Sequence, residues 1–210
     1  MRTKTLLLSA VALAAGVLAS QAQSNVYSAN IVGYVNATNA ANQYVLLANP
    51  LDNGTNDITG LLPSAPNGAQ VLVLQGGVLQ SSSKTKGVWS QDFVVTPGTG
   101  FFFKSPNDGT NTFVGNVAGP SNNIVAPAGI TVLVGSPIPF SGTLSDQGTN
   151  NLNLNVLPNG STIFKLIGGT LQSSSKTKGV WSQNFNVNPS EGFYLKSPTA
   201  TNVTQILQLQ

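Results

Sequence analysis

The sequence predicts an all-β fold made of two similar units, and three observations carry the prediction. Leu79 to Gln91 recurs letter for letter at Leu171 to Gln183, 92 residues further on. The apolar runs of the chain are short and rich in Val, Ile, Leu and Phe, and clusters of Gly, Pro, Asn and Ser separate them. No segment after the first 22 residues sustains the 3.6-residue spacing of an amphipathic helix.

Taken in order, the first element is a leader. Arg2 and Lys4 precede an uncharged, Leu- and Ala-rich stretch from Leu6 to Leu18, and Ser20-Gln21-Ala22 supplies small residues for a signal peptidase. Cleavage is expected after Ala22, because the apolar stretch is shorter than the roughly 20 residues needed to span a bilayer. The predicted organisation is a signal peptide over 1–22, a first β repeat with an N-terminal strand over 23–112, and a second repeat with a C-terminal strand over 113–210. The chain is thus expected to be exported to the cell surface, the extracellular space or the periplasm, with no membrane span once the leader is removed.

The repeat extends beyond its identical core. Val71 to Gly77 answers Ile163 to Gly169, Pro97 to Pro106 answers Pro189 to Pro198, and Val45 to Pro50 answers Val132 to Pro137. Gly76-Gly77 and Gly168-Gly169 sit between apolar runs and can take the positive φ angles of a tight hairpin. Lys84-Thr85-Lys86-Gly87 reads as a second hairpin tip with Gly87 left-handed, and Pro97-Gly98 starts a third turn. The expected form is two tandem sandwiches or barrels, or one body with a pseudo-twofold axis. Phe101-Phe102-Phe103 and Phe193-Tyr194-Leu195 do not alternate, which places them in a core or at a contact between units. Asn151 to Asn155 and Asn184 to Asn188 alternate Asn with apolar residues and read as half-exposed strands.

A linking-strand pattern occurs three times for two units. Ile31-Val32-Gly33-Tyr34-Val35-Asn36 and Phe113-Val114-Gly115-Asn116-Val117-Ala118 share a V-G-x-V pattern, and Val203 to Leu209 holds the corresponding place at the end. Either the first and last copies pair and close the body, or one is left over. A spare strand carrying Ile31, Val32, Tyr34 and Val35 would complete a neighbouring molecule's sheet and drive head-to-tail assembly.

Composition narrows the chemistry. The chain has no His and no Cys, which removes His general bases, His–Cys metal sites, thiol nucleophiles and disulfides. Loss of Arg2 and Lys4 with the leader lowers the formal charge from +3 to +1, too little for the dense basic stripe of a nucleic-acid binder. The carboxylates are not shared between units: Asp57 aligns with Asn151, Asp92 with Asn184 and Glu191 with Thr99. General acid–base work in both units is therefore excluded, and Ser83-Lys84 on an exposed turn would be a weak nucleophile pair. The chain is read as a non-enzyme without a cofactor.

Two binding sites remain open at this point. Trp89 with Lys84 and Lys86, and Trp181 with Lys176 and Lys178, could stack on a sugar ring and hydrogen-bond its hydroxyls; each Trp could equally anchor its hairpin in the core. The Asp- and Asn-rich turn around Asp52 and Asp57 is a weak calcium candidate beside its ordinary role as a turn.

Tyr27-Ser28-Ala29-Asn30-Ile31-Val32-Gly33-Tyr34-Val35-Asn36, Leu46-Leu47-Ala48-Asn49-Pro50-Leu51 and Pro97-Gly98-Thr99-Gly100-Phe101-Phe102 together resemble uncharacterised exported two-repeat β proteins of Verrucomicrobia- and Planctomycetes-type bacteria. The resemblance implies export and internal repetition, and carries no catalytic residue across. The expected function is structural or adhesive, with a second copy of the chain as partner. The alternative is a glycan-binding module with two equivalent Trp hairpins.

Overall fold

The computed structural model describes residues 31–208. The expected leader and cleavage site, residues 23–30 and the last two residues lie outside them. The regular structure of the described chain is almost all antiparallel sheet, in agreement with the all-β expectation.

Two five-stranded sheets form the body. The first contains β2 (Tyr44–Ala48), β3 (Gln70–Gln75), β4 (Val78–Thr85), β5 (Val88–Trp89) and β6 (Gly100–Lys104), in the order β2-β6-β3-β4-β5. The second contains β9 (Thr131–Gly135), β11 (Thr162–Ile167), β12 (Thr170–Thr177), β13 (Val180–Trp181) and β15 (Gly192–Lys196), in the corresponding order β9-β15-β11-β12-β13. The expected hairpin turns are present. Gly76 and Gly77 have φ of 57° and 80°, and at the next tip Lys86 accompanies Gly87 into the left-handed region.

Each sheet is covered by a two-stranded ribbon. β1 (Val32–Asn39) pairs with β7 (Gly109–Asn116), and β8 (Ser121–Ala126) pairs with β16 (Thr201–Ile206). The alternation of each ribbon buries one face: Val35, Ala37 and Phe113 join the core of the first half, and Ile124, Ala126 and Val203 join that of the second. The boundary at 112/113 falls inside β7 and is corrected by this pairing; the halves join over residues 117–120.

The strand count is corrected in the same way. The first V-G-x-V copy pairs with the second, and the third pairs with β8. No copy is left over, and the first and last do not pair with each other. β8 escaped the sequence reading because Ser121-Asn122-Asn123 has the composition of a turn.

The remaining elements are short. The single-turn helix α1 (Ile58–Leu61) is capped by Asp57, whose carboxylate accepts from the Gly60 amide at 2.7 Å. Its counterpart in the second half is the turn that follows β10 (Gly142–Thr143), a strand paired with β14 (Asn186–Val187): Ile58 N–H donates to the Phe93 carbonyl as Leu144 N–H donates to that of Phe185. Asp57 bridges Val94 where Thr143 pairs Asn186, so the structural counterpart of Asp57 is Thr143 and not Asn151. The Asn151 to Asn155 stretch is also corrected. Leu152 and Leu154 are buried, but the chain there is a loop and a 3₁₀ turn (Leu154–Val156), with Asn150 and Asn153 left-handed.

The halves meet edge to edge through reciprocal contacts. The Leu47–Glu191 bridge has its counterpart in Val134–Thr99, and the bond from Ala48 N–H to the Ser190 carbonyl has its counterpart from Gly135 N–H to the Gly98 carbonyl. Phe102 packs against Tyr194, the residue 92 positions on, with ring centroids 5.9 Å apart and planes tilted by 54°. Phe101, Phe103, Phe193 and Leu195 are buried in the cores of their halves, and the middle residues of the two strands, Phe102 and Tyr194, meet between them.

Candidate functional site

The identical Trp–Lys hairpins are structural. Trp89 and Trp181 are only 6% and 5% exposed, and each belongs to the core of its half. The Lys84 ammonium lies 5.6 Å from the Trp89 ring centroid and that of Lys176 lies 5.9 Å from Trp181. Lys84 donates to the Pro63 carbonyl; Lys176 donates to the Asn155 and Leu157 carbonyls, and burial holds its ammonium below the usual lysine range. Ser82 and Ser174 each clamp the backbone nine residues on, at Gln91 and Gln183. The sugar platform expected at Trp89, Lys84, Lys86, Trp181, Lys176 and Lys178 is therefore corrected: the indole faces are covered, and only Lys86 and Lys178 are exposed, at the hairpin tips.

The two carboxylates of the calcium candidate are engaged in local turns. Asp52 accepts from the Gly54 amide and the Asn56 side chain, each at 2.8 Å, and those bonds hold its carboxyl below the usual range. Asp57 caps α1. Asp92 and Asn184 play one role, accepting from Thr59 and from Ser145. An acceptor oxygen suffices there, which explains why an amide can replace the acid. Among the described residues no three acidic side chains come together as a metal site.

One ion pair forms among the described residues, Lys165 to Glu191 at 3.0 Å, with side chains 11% and 22% exposed. Their counterparts are Val73 and Thr99. Restoring that pattern with Lys165→Val and Glu191→Thr together is expected to leave stability within about 1 kcal/mol, whereas Glu191→Thr alone should cost about 2 kcal/mol by leaving a nearly buried ammonium with the Asn186 carbonyl and no carboxylate. Denaturant unfolding of the three proteins checks this.

Large apolar side chains are open to solvent on the hairpins, at Val78, Leu79, Val88, Leu171 and Val180, and on the ribbons. β1 turns Val32 and Tyr34 outward, 69% and 74% exposed, and Val114 stands opposite Tyr34 at 56%. Of the four self-association residues, Val35 instead points into the core and Ile31 is half-buried. The ribbons also have open edges, since among the described residues no strand pairs with β1 or β8 on the side away from β7 or β16. A cleft borders each edge. That beside β1 has a volume of about 420 Å³ and is bounded across the joint by Leu166, Gly168-Gly169 and residues 188–191. That beside β8, about 660 Å³, is bounded by the counterpart residues Leu74, Gly76-Gly77 and Pro97–Thr99. The two differ in chemistry. Glu191 and Asn188 line the first, while Val125, Pro127, Ile130 and Val132 line the second.

No family model, no curated protein and no solved structure matches this chain. No helix among the described residues is long and apolar enough to cross a membrane.

Proposed function

We propose that this chain is an exported, non-enzymatic structural protein that associates with copies of itself at the cell surface or in the extracellular matrix, with the β1–β7 ribbon as its association surface. The observation that carries the reading is the exposed group of Val32, Tyr34 and Val114. Large apolar side chains gathered on a solvent-facing ribbon favour burial against a partner. The edge of β1 supports the same reading. Exposed edge strands are commonly guarded by charge, proline or a bulge; β1 contains no charged residue and no proline, and pairs with β7 in unbroken register. The acids give no support to a catalytic reading, because Asp52, Asp57 and Asp92 are engaged in turns and caps and Glu191 in the ion pair.

Light scattering on residues 23–210 over a concentration series tests this. The mass is expected to rise with concentration, and Tyr34→Asp with Val114→Asp should hold the protein as a monomer with an unchanged circular dichroism spectrum. A parent protein that stays monomeric throughout would overturn the reading.

A further inference from the structure

Resting on that reading, we propose that residues 23–30 of one copy dock as an added strand on the open edge of β8 in the next copy, with Val26 and Tyr27 against the apolar cleft. The argument starts from where β1 begins. Its ladder with β7 ends at Val32 opposite Asn116, followed by one bond from Val117 N–H to the Ile31 carbonyl. Among the described residues the pairing of this strand ends there. Cleavage after Ala22 would leave eight residues there, Gln23-Ser24-Asn25-Val26-Tyr27-Ser28-Ala29-Asn30, with no charged side chain and no proline.

The acceptor is on the other half. Among the described residues β8 has no partner on the side away from β16, and Asn123, Ile124 and Val125 of that strand line the cleft of about 660 Å³. At about 3.3 Å per residue an eight-residue arm is long enough to cover all six residues of β8. Backbone pairing would supply affinity, and alternate side chains would enter the cleft. Val125 and Ile130, 55% and 57% exposed, give it apolar walls that suit Val26 and Tyr27. The cleft beside β1 suits the arm less well, since Glu191 and Asn188 would be covered there. An arm on the first half and an acceptor on the second make a heterologous contact, which propagates copy after copy wherever the rotation does not close a ring or an arm-exchanged dimer.

Two variants of residues 23–210 test this. Val26→Asp with Tyr27→Asp spoils the arm and leaves the cleft intact; Val125→Asp with Ile130→Asp spoils the cleft and leaves the arm intact. The second pair replaces exposed side chains, and circular dichroism checks that both proteins are folded. Each variant alone is expected to stay monomeric where the parent assembles. Their equimolar mixture should double in mass and grow no further, because one arm and one cleft remain. If either variant assembles like the parent, or the mixture stays monomeric, the arm is not the link. The ribbon reading would then stand on the Tyr34 and Val114 variant alone. A monomeric parent would overturn both.

Discussion

Trp181→Ala is expected to lower the unfolding free energy by about 4 kcal/mol, and Trp89→Ala by a similar amount, within the range of about 3–5 kcal/mol for deleting a buried large aromatic side chain. Each indole fills the core of its half beneath a lysine ammonium, and its removal leaves both a cavity and a buried cation without its aromatic partner. Denaturant unfolding monitored by far-ultraviolet circular dichroism reads the loss. A sugar-binding platform on the surface would behave differently, since truncating an exposed side chain changes stability by about 0.5 kcal/mol or less. The same experiment therefore separates the two roles that the thirteen identical residues left open.

Gly192→Ala is expected to cost about 3 kcal/mol, near the upper end of ordinary overpacking. A Cβ on Gly192 would stand 2.5 Å from the Leu47 carbonyl oxygen, and the obstacle is backbone of the opposite half, which cannot rotate away. Gly100, the counterpart, faces the backbone at Leu133 and Val134. Gly192→Ala should therefore loosen the joint between halves while leaving each core intact. A lowered midpoint with retained near-ultraviolet signal from the tryptophans is the expected result. Full stability in this variant would mean that the halves are not held edge to edge as described.

Much of the fold was legible because its signals are local. Gly-Gly pairs, the Lys-Gly tip and alternating apolar residues mark hairpins whatever the rest of the chain does. What escaped depended on distant partners. Ser121-Asn122-Asn123 is turn-like in isolation and becomes a strand only because β16 runs beside it. Asn151 to Asn155 has the alternation of a strand, yet left-handed Asn150 and Asn153 break it, and Leu152 and Leu154 reach the core from a loop. Alternation reported which side chains are inside, not how the backbone places them there.

The candidate sites divided along the same line. Trp beside Lys and Ser suits a sugar site and a hairpin anchor equally well, because residue type does not say which side of the sheet an indole faces. Val32 and Tyr34 were singled out as members of a leftover strand. They matter instead as the outward face of a paired one, with Val114, which only the register of β1 against β7 brings beside Tyr34. The Lys165–Glu191 pair could not be read from one unit, since its counterparts are Val73 and Thr99.

The central claim is that the β1–β7 ribbon, and not the Trp hairpins, is where this protein meets its partner. Amide hydrogen exchange on residues 23–210 at low and high protein concentration tests it most directly, because burial of an edge slows exchange there alone. The account predicts that protection over Val32–Asn39 and Gly109–Asn116 rises with concentration, while Leu79–Gln91 and Leu171–Gln183 exchange at the same rate throughout. Protection that rises in the hairpins and not in the ribbon, or that is independent of concentration everywhere, would contradict it.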